Sequence, residues 1–399
     1  MRGSRRWLWL LVAAGVLCQG ALNVVRPVTS YKLLALGADG ATIGLVTAAY
    51  AVVPLLVALS LARLTDRRPR LLRLVQGSAL VLAVGAAAVA LAPDVWGVAV
   101  GTVVVGVGHL LFTITGQAAI ARYSRDDDLD LGFGWFTASY SVGQALGPLI
   151  GGALVGAGSV EAAGRLADID LALWAGVGLA LLALPALLVP LGALPTARRS
   201  PGTENQVAAR APVGQILGVR GVGSAMFASM ALLATMDIVI AFLPVVGERA
   251  GVSPVVVGWL LAVRGAAGFV SRVMLPFLSR RLSRRSLLTT SVLGAGLSLS
   301  VAPVLIRDPL LAGLLLAVGG FFLGLGQPLT MTMISTRVPI RWRSQALAVR
   351  LMGNRIGQVA FPLLAGLVVA PLGPAGAIWL TCAVLVVSGT EQLLRRDGP

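Results

Sequence analysis

The chain is a succession of apolar runs of about 20 residues, each bounded by charged residues or by proline and glycine clusters. A run of that length forms a helix that crosses the hydrocarbon core of a bilayer. Because 57% of the 399 residues are hydrophobic and 12% are charged, a soluble domain is excluded and an all-α, multi-pass membrane protein is predicted. The twelve predicted spans are 7–29, 41–61, 74–92, 96–121, 133–156, 171–191, 216–246, 254–278, 286–306, 309–332, 345–370 and 374–393.

The spans divide into two sets of six on either side of a polar segment. Residues 195–215 are rich in proline, glycine and arginine, a composition typical of a flexible linker. We therefore expect an N-terminal six-helix half at 1–194, a cytoplasmic linker at 195–215 and a C-terminal six-helix half at 216–399. The basic start followed by an apolar stretch resembles a signal peptide. However, Gly15–Cys18 makes a poor cleavage site, which favours a retained first helix.

Arginines are concentrated in the loops of one face. The loops after the second and eighth spans carry arginine clusters at 63–73 and 280–285, and both ends of the chain are basic. Because arginine and lysine are retained in cytoplasmic loops, these segments and both termini are predicted to lie in the cytoplasm. The preference for arginine over lysine indicates a GC-rich genome and hence a bacterial plasma (inner) membrane. The cations left for the outer loops are Lys32, Arg165, Arg249 and Arg307.

Residue usage excludes several classes of function. The formal charge of +16 arises mostly from short loops, where topology explains it, and so does not indicate a nucleic-acid partner. Cys18 and Cys382 lie in apolar runs at opposite ends of the chain, and His109 is the single histidine, so neither a disulfide framework nor a metal site is expected. No nucleophile–base arrangement, phosphate-binding loop or dinucleotide fingerprint is present. We therefore expect neither an enzyme nor a cofactor, and energy from an ion gradient or from the substrate itself.

An offset of 214 residues relates the two halves without a gap from the second span to the eleventh. Glycine-rich helices give chance matches, but an ungapped register over this length indicates a duplication. The matched pairs include Gly37 and Gly251, Gly44 and Gly258, Arg67 and Arg281, Arg70 and Arg284, Asp94 and Asp308, Gly106 and Gly320, Gly143 and Gly357, Gln144 and Gln358, Pro148 and Pro362, and Gly152 and Gly366. The halves are therefore predicted to be parallel repeats, related by an axis along the membrane normal.

The loop after the second span resembles the signature G-x-L-x-D-R-x-G-R-[RK] of major facilitator superfamily transporters. Ala62, Pro69 and Leu71 replace its two glycines and its final cation. The residues that match are Leu64, Asp66, Arg67 and Arg70. The resemblance covers nearly the whole chain and implies the major facilitator fold. It also implies that the acid and the arginines of this loop lock a cytoplasmic gate when the pathway faces outward.

The fifth span carries the pattern G-x-x-x-G-P-x-x-G-G, which resembles the drug:proton antiporter branch of that superfamily. Glycines four residues apart give a helix a smooth face for close packing, and a proline loosens the backbone ladder so that the helix can bend. The residues of the pattern are Gly143, Gly147, Pro148, Gly151 and Gly152. The resemblance implies that this helix seals the packed interface against leakage.

The fourth span departs from that branch. Drug antiporters usually carry an arginine there, about four residues before a glycine, whereas this chain has Thr102 before Gly106. The proton-relay assignment of the branch therefore does not transfer to this helix. His109, further along the same span, is either a proton acceptor or a histidine whose hydrogen bonds are satisfied between helices.

Ionisable side chains at membrane depth are costly and mark functional candidates. Asp237 is the one acid well inside a predicted span, and Arg264 lies at a similar depth in the next span. One hypothesis is a cavity-facing carboxylate that takes and releases a proton beside Arg264. The other is a permanent ion pair that fastens the two helices. A pair that breaks during the transport cycle satisfies both.

The first span presents three polar residues, Gln19, Asn23 and Arg26, at helical spacing on one face. Asn23 is the repeat equivalent of Asp237, and first helices of the halves line the cavity in the fold that the resemblance implies. We therefore expect this face to line the substrate cavity. The alternative for Arg26 is that it extends to the outer interface.

The eleventh span contains Arg350, Asn354 and Arg355. We expect Arg350 to lie at the membrane interface. Asn354 and Arg355 are deeper, and we expect them to face the protein or the cavity.

These features together predict a monomeric antiporter in the lipid bilayer that couples efflux of small amphipathic compounds, drugs or natural products, to a proton gradient by alternating access. An importer or facilitator of a polar metabolite on the same fold is one alternative. A non-transporting receptor or assembly protein with a degenerate transporter fold is another. The mostly apolar spans argue against strongly charged substrates.

Overall fold

The structure is a computed structural model that describes residues 6–67, 71–124, 129–156, 162–186, 213–339 and 342–394. These residues are almost entirely α-helical, and no strand occurs among them. Within these ranges nine helices are long and apolar enough to cross a membrane, with α12 counted once. The helices are α1 (Arg6–Ala35), α2 (Gly40–Arg67), α3 (Leu71–Leu91), α4 (Val95–Tyr123), α5 (Leu129–Gly156), α6 (Ala162–Ala186), α7 (Val213–Gly218), α8 (Val222–Arg249), α9 (Pro254–Arg281), α10 (Arg284–Val301), α11 (Pro309–Arg337) and α12 (Arg343–Leu394).

The twelve predicted spans correspond to α1–α6, to α8–α11 and to the two parts of α12. Gly373 interrupts α12 with φ 71° and ψ −179°, a conformation open to glycine, and Pro371 and Pro374 flank the break. The short helix α7 precedes α8 and joins it through a turn. Most of the predicted linker lies outside the described residues.

The chain forms two compact units. Unit 1 contains residues 1–38 and 49–204, and unit 2 contains residues 39–48 and 205–399. Helix α1 packs on α5 and α6 in unit 1, and α8 packs on α12 in unit 2. The first turns of α2 are thus grouped with unit 2 rather than with the rest of that helix.

Equivalent helices of the two units begin in the same way. Gly37 and Gly251 both have positive φ, 77° and 71°, in the turns before α2 and α9. Asp94 caps α4 by accepting from the Gly97 N–H at 2.8 Å, and Asp308 caps α11 by accepting from two backbone N–H groups at 3.1 Å. Each pair is separated by the 214-residue offset, so the duplication extends to local backbone geometry.

A close helix contact is also repeated in both units. A Cβ atom on Gly106 would overlap the Tyr50 carbonyl oxygen, and one on Gly320 would overlap the Arg264 carbonyl oxygen. Glycine at these positions lets α4 lie against α2 and α11 lie against α9. Tyr50 and Arg264 are themselves 214 residues apart, so the two side chains project from equivalent positions of the repeat.

Lys32 corrects the sequence-based placement of a cation in an outer loop. Its side chain is 2% exposed, and its Nζ atom lies 2.8 Å from Asp170 Oδ1 on α6 and donates to the Ala90 carbonyl near the end of α3. Hydropathy missed this pair because α1 continues to Ala35 and α6 begins at Ala162, beyond the predicted ends of both spans. The ion pair joins three helices of unit 1.

The Lys32–Asp170 pair predicts a measurable coupling between α1 and α6. Lys32→Met should destabilise the protein by about 2 kcal/mol, less than the full cost of breaking a buried pair because Asp170 is 31% exposed. The double variant Lys32→Met/Asp170→Leu should lose less than the sum of the two single variants, as measured by thermal unfolding in detergent. Additive losses would contradict the pair.

Candidate functional site

The polar face of α1 is buried in unit 1. Gln19 and Asn23 are 2% and 4% exposed. The Asn23 Nδ2 atom donates to the Gln19 carbonyl oxygen at 2.8 Å, which satisfies one donor within the helix itself. The Gln19 side chain takes no part in that bond and contacts another helix instead.

His109 on α4 lies between Gln19 and Tyr50. The Gln19 Nε2 atom is 3.1 Å from His109 Nε2, and the Tyr50 hydroxyl is 2.5 Å from His109 Nδ1. The Arg26 guanidinium carbon lies 4.6 Å from the centre of the Tyr50 ring, within cation–π distance. Three residues singled out in the sequence thus meet through Tyr50, which the sequence analysis did not select.

The orientation of the Gln19 amide, with Nε2 towards the ring, favours one tautomer of His109. Since Gln19 Nε2 is a donor, His109 Nε2 must accept, and a neutral ring then carries its proton on Nδ1 and donates to the Tyr50 hydroxyl oxygen. A second proton on His109 would make both ring nitrogens donors. The Gln19 amide would then have to turn so that its oxygen accepts. Protonation of His109 and orientation of Gln19 are therefore linked.

A second tyrosine completes the surroundings of His109. The Tyr140 ring centre lies 6.3 Å from the His109 ring centre, and its hydroxyl donates to Thr113 Oγ1 at 3.0 Å. Apart from Arg26 and His109, this cluster offers aromatic faces and neutral polar groups.

Helix α5 holds the polar face of α1 in place. Cβ atoms on Gly143 and Gly147 would overlap α1 at Gln19 and Asn23, and one on Gly151 would touch Val28. The backbones of α1 and α5 therefore approach closely along this face. Pro148 lies within α5, between those glycines, and Gly152 is buried.

In unit 2 the central group is Asp237 on α8. The carboxylate is 3% exposed, and its Oδ2 atom accepts from Gln358 Nε2 at 2.6 Å. The Gln358 Oε1 atom accepts in turn from Arg355 at 2.9 Å. Arg264 on α9 is buried to the same extent, at 3% exposure. One amide thus connects a buried carboxylate with a guanidinium on α12.

The sequence contained a signal for Gln358. Asn23 and Asp237 are repeat equivalents, and so are Gln144 and Gln358. In both units the glutamine follows a glycine. Gly143, before Gln144, packs on α1, and Gly357, before Gln358, packs on α8. The offset from Gln144 therefore marked Gln358 as a candidate, and Gln358 is the amide that contacts Asp237.

Two further predicted residues of α12 are buried. Arg350 is 7% exposed, and its guanidinium donates to Gln327 Oε1 at 2.7 Å. Gln327 on α11 donates onward to the Ser229 carbonyl at 2.9 Å, so the charge lies within a polar network. Asn354 is 4% exposed, and its Oδ1 atom has no hydrogen-bond partner among the described residues.

The predicted gate cannot be placed from the described residues. Asp66 and Arg67 belong to the last turn of α2, but their side chains lie outside the described part, as does Arg70 altogether. On α4, Thr102 donates to its own helix at the Val98 carbonyl, 2.8 Å away. It occupies the position where the antiporter branch has an arginine.

Comparison with known proteins identifies the family. The model of the Major Facilitator Superfamily matches residues 8–306 and 225–397. The chain belongs to the Major Facilitator Superfamily. No curated protein sequence matches it significantly.

Solved transporters share the fold. A bacterial homolog of the human lysosomal transporter Spinster superposes with a TM-score of 0.77 at 17% identity, covering 99% of this chain and 97% of that chain. A nucleoside transporter gives 0.75 at 15% identity, with 97% and 99% covered. A D-xylose–proton symporter gives 0.74 at 16% identity, with 98% and 97% covered. These superpositions show a shared fold, and the family match identifies it as the major facilitator fold.

The tautomer of His109 provides a test of the unit 1 cluster. Because His109 is the single histidine, uniformly ¹⁵N-labelled protein purified without a histidine tag gives one pair of imidazole ring signals. We expect the neutral ring to carry its proton on Nδ1. Gln19→Leu should remove that preference, since Nε2 loses its donor. A neutral wild-type ring protonated on Nε2 would contradict the arrangement.

Proposed function

We propose that this major facilitator transporter couples proton movement to the efflux of small amphipathic compounds by alternating access. The observation that supports it best is the buried carboxylate of Asp237, held by Gln358 at 2.6 Å. An ionisable group inside a membrane helix is costly, and such groups commonly mark proton and ion pathways.

The hydrogen bonds around Asp237 can change when its carboxylate takes up a proton. As a carboxylate it accepts from the Gln358 amide nitrogen, but a protonated carboxyl also has a hydrogen to donate. Donation to Gln358 requires the amide to turn and present its oxygen. That oxygen is bonded to Arg355 in the present arrangement. When the protonated Asp237 carboxyl donates to Gln358 in this way, Arg355 is released, and its guanidinium becomes available to contact substrate.

His109 is the second proton candidate. In unit 1 the amide of Gln19 must turn when both ring nitrogens of His109 become donors. In unit 2 the amide of Gln358 turns when the protonated Asp237 carboxyl donates to it. We assign Asp237 the coupling role and Arg264 the role of tuning its charge. The His109 cluster, with Arg26 and Tyr50, is assigned to the substrate site.

The amphipathic character of the substrate follows from this cluster. It combines aromatic rings with few charges, and the glycine and proline pattern of α5 favours antiport. We further propose that Asn23, Asn354 and Arg355 line the cavity, and that the protein works as a monomer. The loop with Asp66, Arg67 and Arg70 forms the gate at a cytoplasmic face that also carries both termini.

Uptake is a second candidate. It is favoured by the likeness to a D-xylose–proton symporter and to a nucleoside transporter, which are described as carriers of polar molecules. The direction of proton movement upon substrate addition separates the two, because antiport and symport move protons in opposite directions relative to the substrate.

Asp237→Asn should abolish substrate-driven proton movement with folding retained, because asparagine keeps the shape of the side chain and loses the titrating group. The measurement uses purified protein in liposomes with a trapped pH dye. Ethidium, tetraphenylphosphonium and neutral amphipathic compounds are added one at a time. The matched control is Asp308→Asn, since asparagine also caps helices well and Asp308 lies at a helix start. Wild-type proton movement in Asp237→Asn would exclude the proposed role.

A further inference from the structure

Unit 2 contains a cavity of about 580 Å³ that no step of the proposed transport cycle uses. It lies where α8 and α10 begin and where α11 and α12 end. The arginine distribution assigns this end of the unit to the cytoplasmic face. Its charged lining consists of Arg220, Arg285 and Arg337.

Counted over the residues that the structure describes, the lining of this arginine cavity is net positive. Three arginines line it, and Glu391, which accepts from Ser224 at 3.2 Å, lines an adjoining cavity of about 300 Å³ that shares Arg220. Arg285 is anchored by donation to the Gln392 carbonyl oxygen at 2.7 Å. One carboxylate does not balance three guanidinium groups.

Arg337 lies against the start of a long helix. Gly221 is the N-cap of α8, has φ 77° and offers no side-chain cap, and a Cβ atom there would overlap the Arg337 guanidinium. A helix start carries partial positive charge and unbonded N–H groups. A cation placed against it is unfavourable by itself and becomes favourable when an anion lies beside both the guanidinium and the helix start.

Gln392 supplies an independent observation. Its side chain is 7% exposed and lines the cavity. The Oε1 atom accepts from Thr289 at 3.4 Å, which orients the amide, while Nε2 has no hydrogen-bond partner among the described residues. A buried donor without an acceptor costs free energy. The Nε2 atom itself is shielded from the cavity, and a turn of the amide would bring it to the cavity wall, where an oxygen atom of a bound anion would accept from it.

We propose that the arginine cavity binds a phosphate group, carried either by an anionic lipid headgroup or by a soluble phosphate compound. Guanidinium groups bind phosphate through paired, charge-assisted hydrogen bonds. Basic pockets between membrane helices at the cytoplasmic face are suited to anionic lipid headgroups. The helix start of α8 and the Gln392 amide supply the remaining donors.

The test measures stabilisation of the full-length protein in dodecyl maltoside by phosphatidylglycerol and, separately, by pyrophosphate, with phosphatidylcholine as the zwitterionic reference. We expect a saturable rise of the thermal midpoint. In Arg337→Gln the half-saturating concentration should increase about fivefold, the factor that one basic residue near an anionic surface contributes. Gln392→Leu should weaken binding as well. Arg284→Gln is the matched control, because Arg284 begins α10 beside Arg285 but does not line the cavity.

The outcomes separate the sources of phosphate. A response to phosphatidylglycerol alone that depends on Arg337 and Gln392 supports a lipid headgroup, and a response to pyrophosphate alone supports a soluble compound. A response to both supports a phosphate site open to either. Equal stabilisation by phosphatidylcholine, or wild-type responses in both Arg337→Gln and Gln392→Leu, would overturn the proposal. The result is independent of the proton role of Asp237.

Discussion

In an apolar helix bundle, every buried polar side chain needs a partner on another helix or on its own backbone, because neither lipid nor the packed interior provides one. In this transporter neutral amides meet that need in both units. Gln19 bonds to His109 in unit 1, and Gln358 bonds to Asp237 in unit 2. An amide presents a donor and an acceptor at one end of a side chain, so it can serve either protonation state by turning. The close approach of α5 to α1 keeps the first of these amides in place.

Duplication explains why the two polar clusters are alike in position and different in chemistry. The offset relates Asn23 to Asp237 and Tyr50 to Arg264, so a neutral residue in unit 1 corresponds to a charged residue in unit 2 each time. The glycine contact that places Tyr50 is the same contact that places Arg264. The shared scaffold thus allows unit 2 to carry the proton while unit 1 offers an aromatic surface, which is the division of roles that we propose.

The sequence predicted the helical fold, the family and the duplication. Each of these signals is averaged over many residues: the hydropathy over a whole span, and the 214-residue offset over many helices. Prediction failed where one charge is compensated by a distant residue. Lys32 looked like a loop cation since Asp170, 138 positions away, lay outside any predicted span. The hydrogen bond from Arg350 to Gln327 of α11 was not predicted, because nothing local in the sequence indicates it. Gln358 was overlooked as a neutral residue, although its offset to Gln144 was already visible. Pairing between helices depends on helix rotation, which an apolar pattern without a polar stripe does not determine.

The central claim is that Asp237 carries the coupled proton, and it is tested most directly by separating exchange from accumulation. The compound that gives the strongest proton signal would be radiolabelled and followed in proteoliposomes containing wild type or Asp237→Asn. Exchange of labelled for unlabelled substrate requires no net proton movement, whereas accumulation driven by an imposed pH gradient does. We predict that Asp237→Asn retains exchange and loses gradient-driven accumulation. Accumulation at the wild-type level in Asp237→Asn would contradict the account.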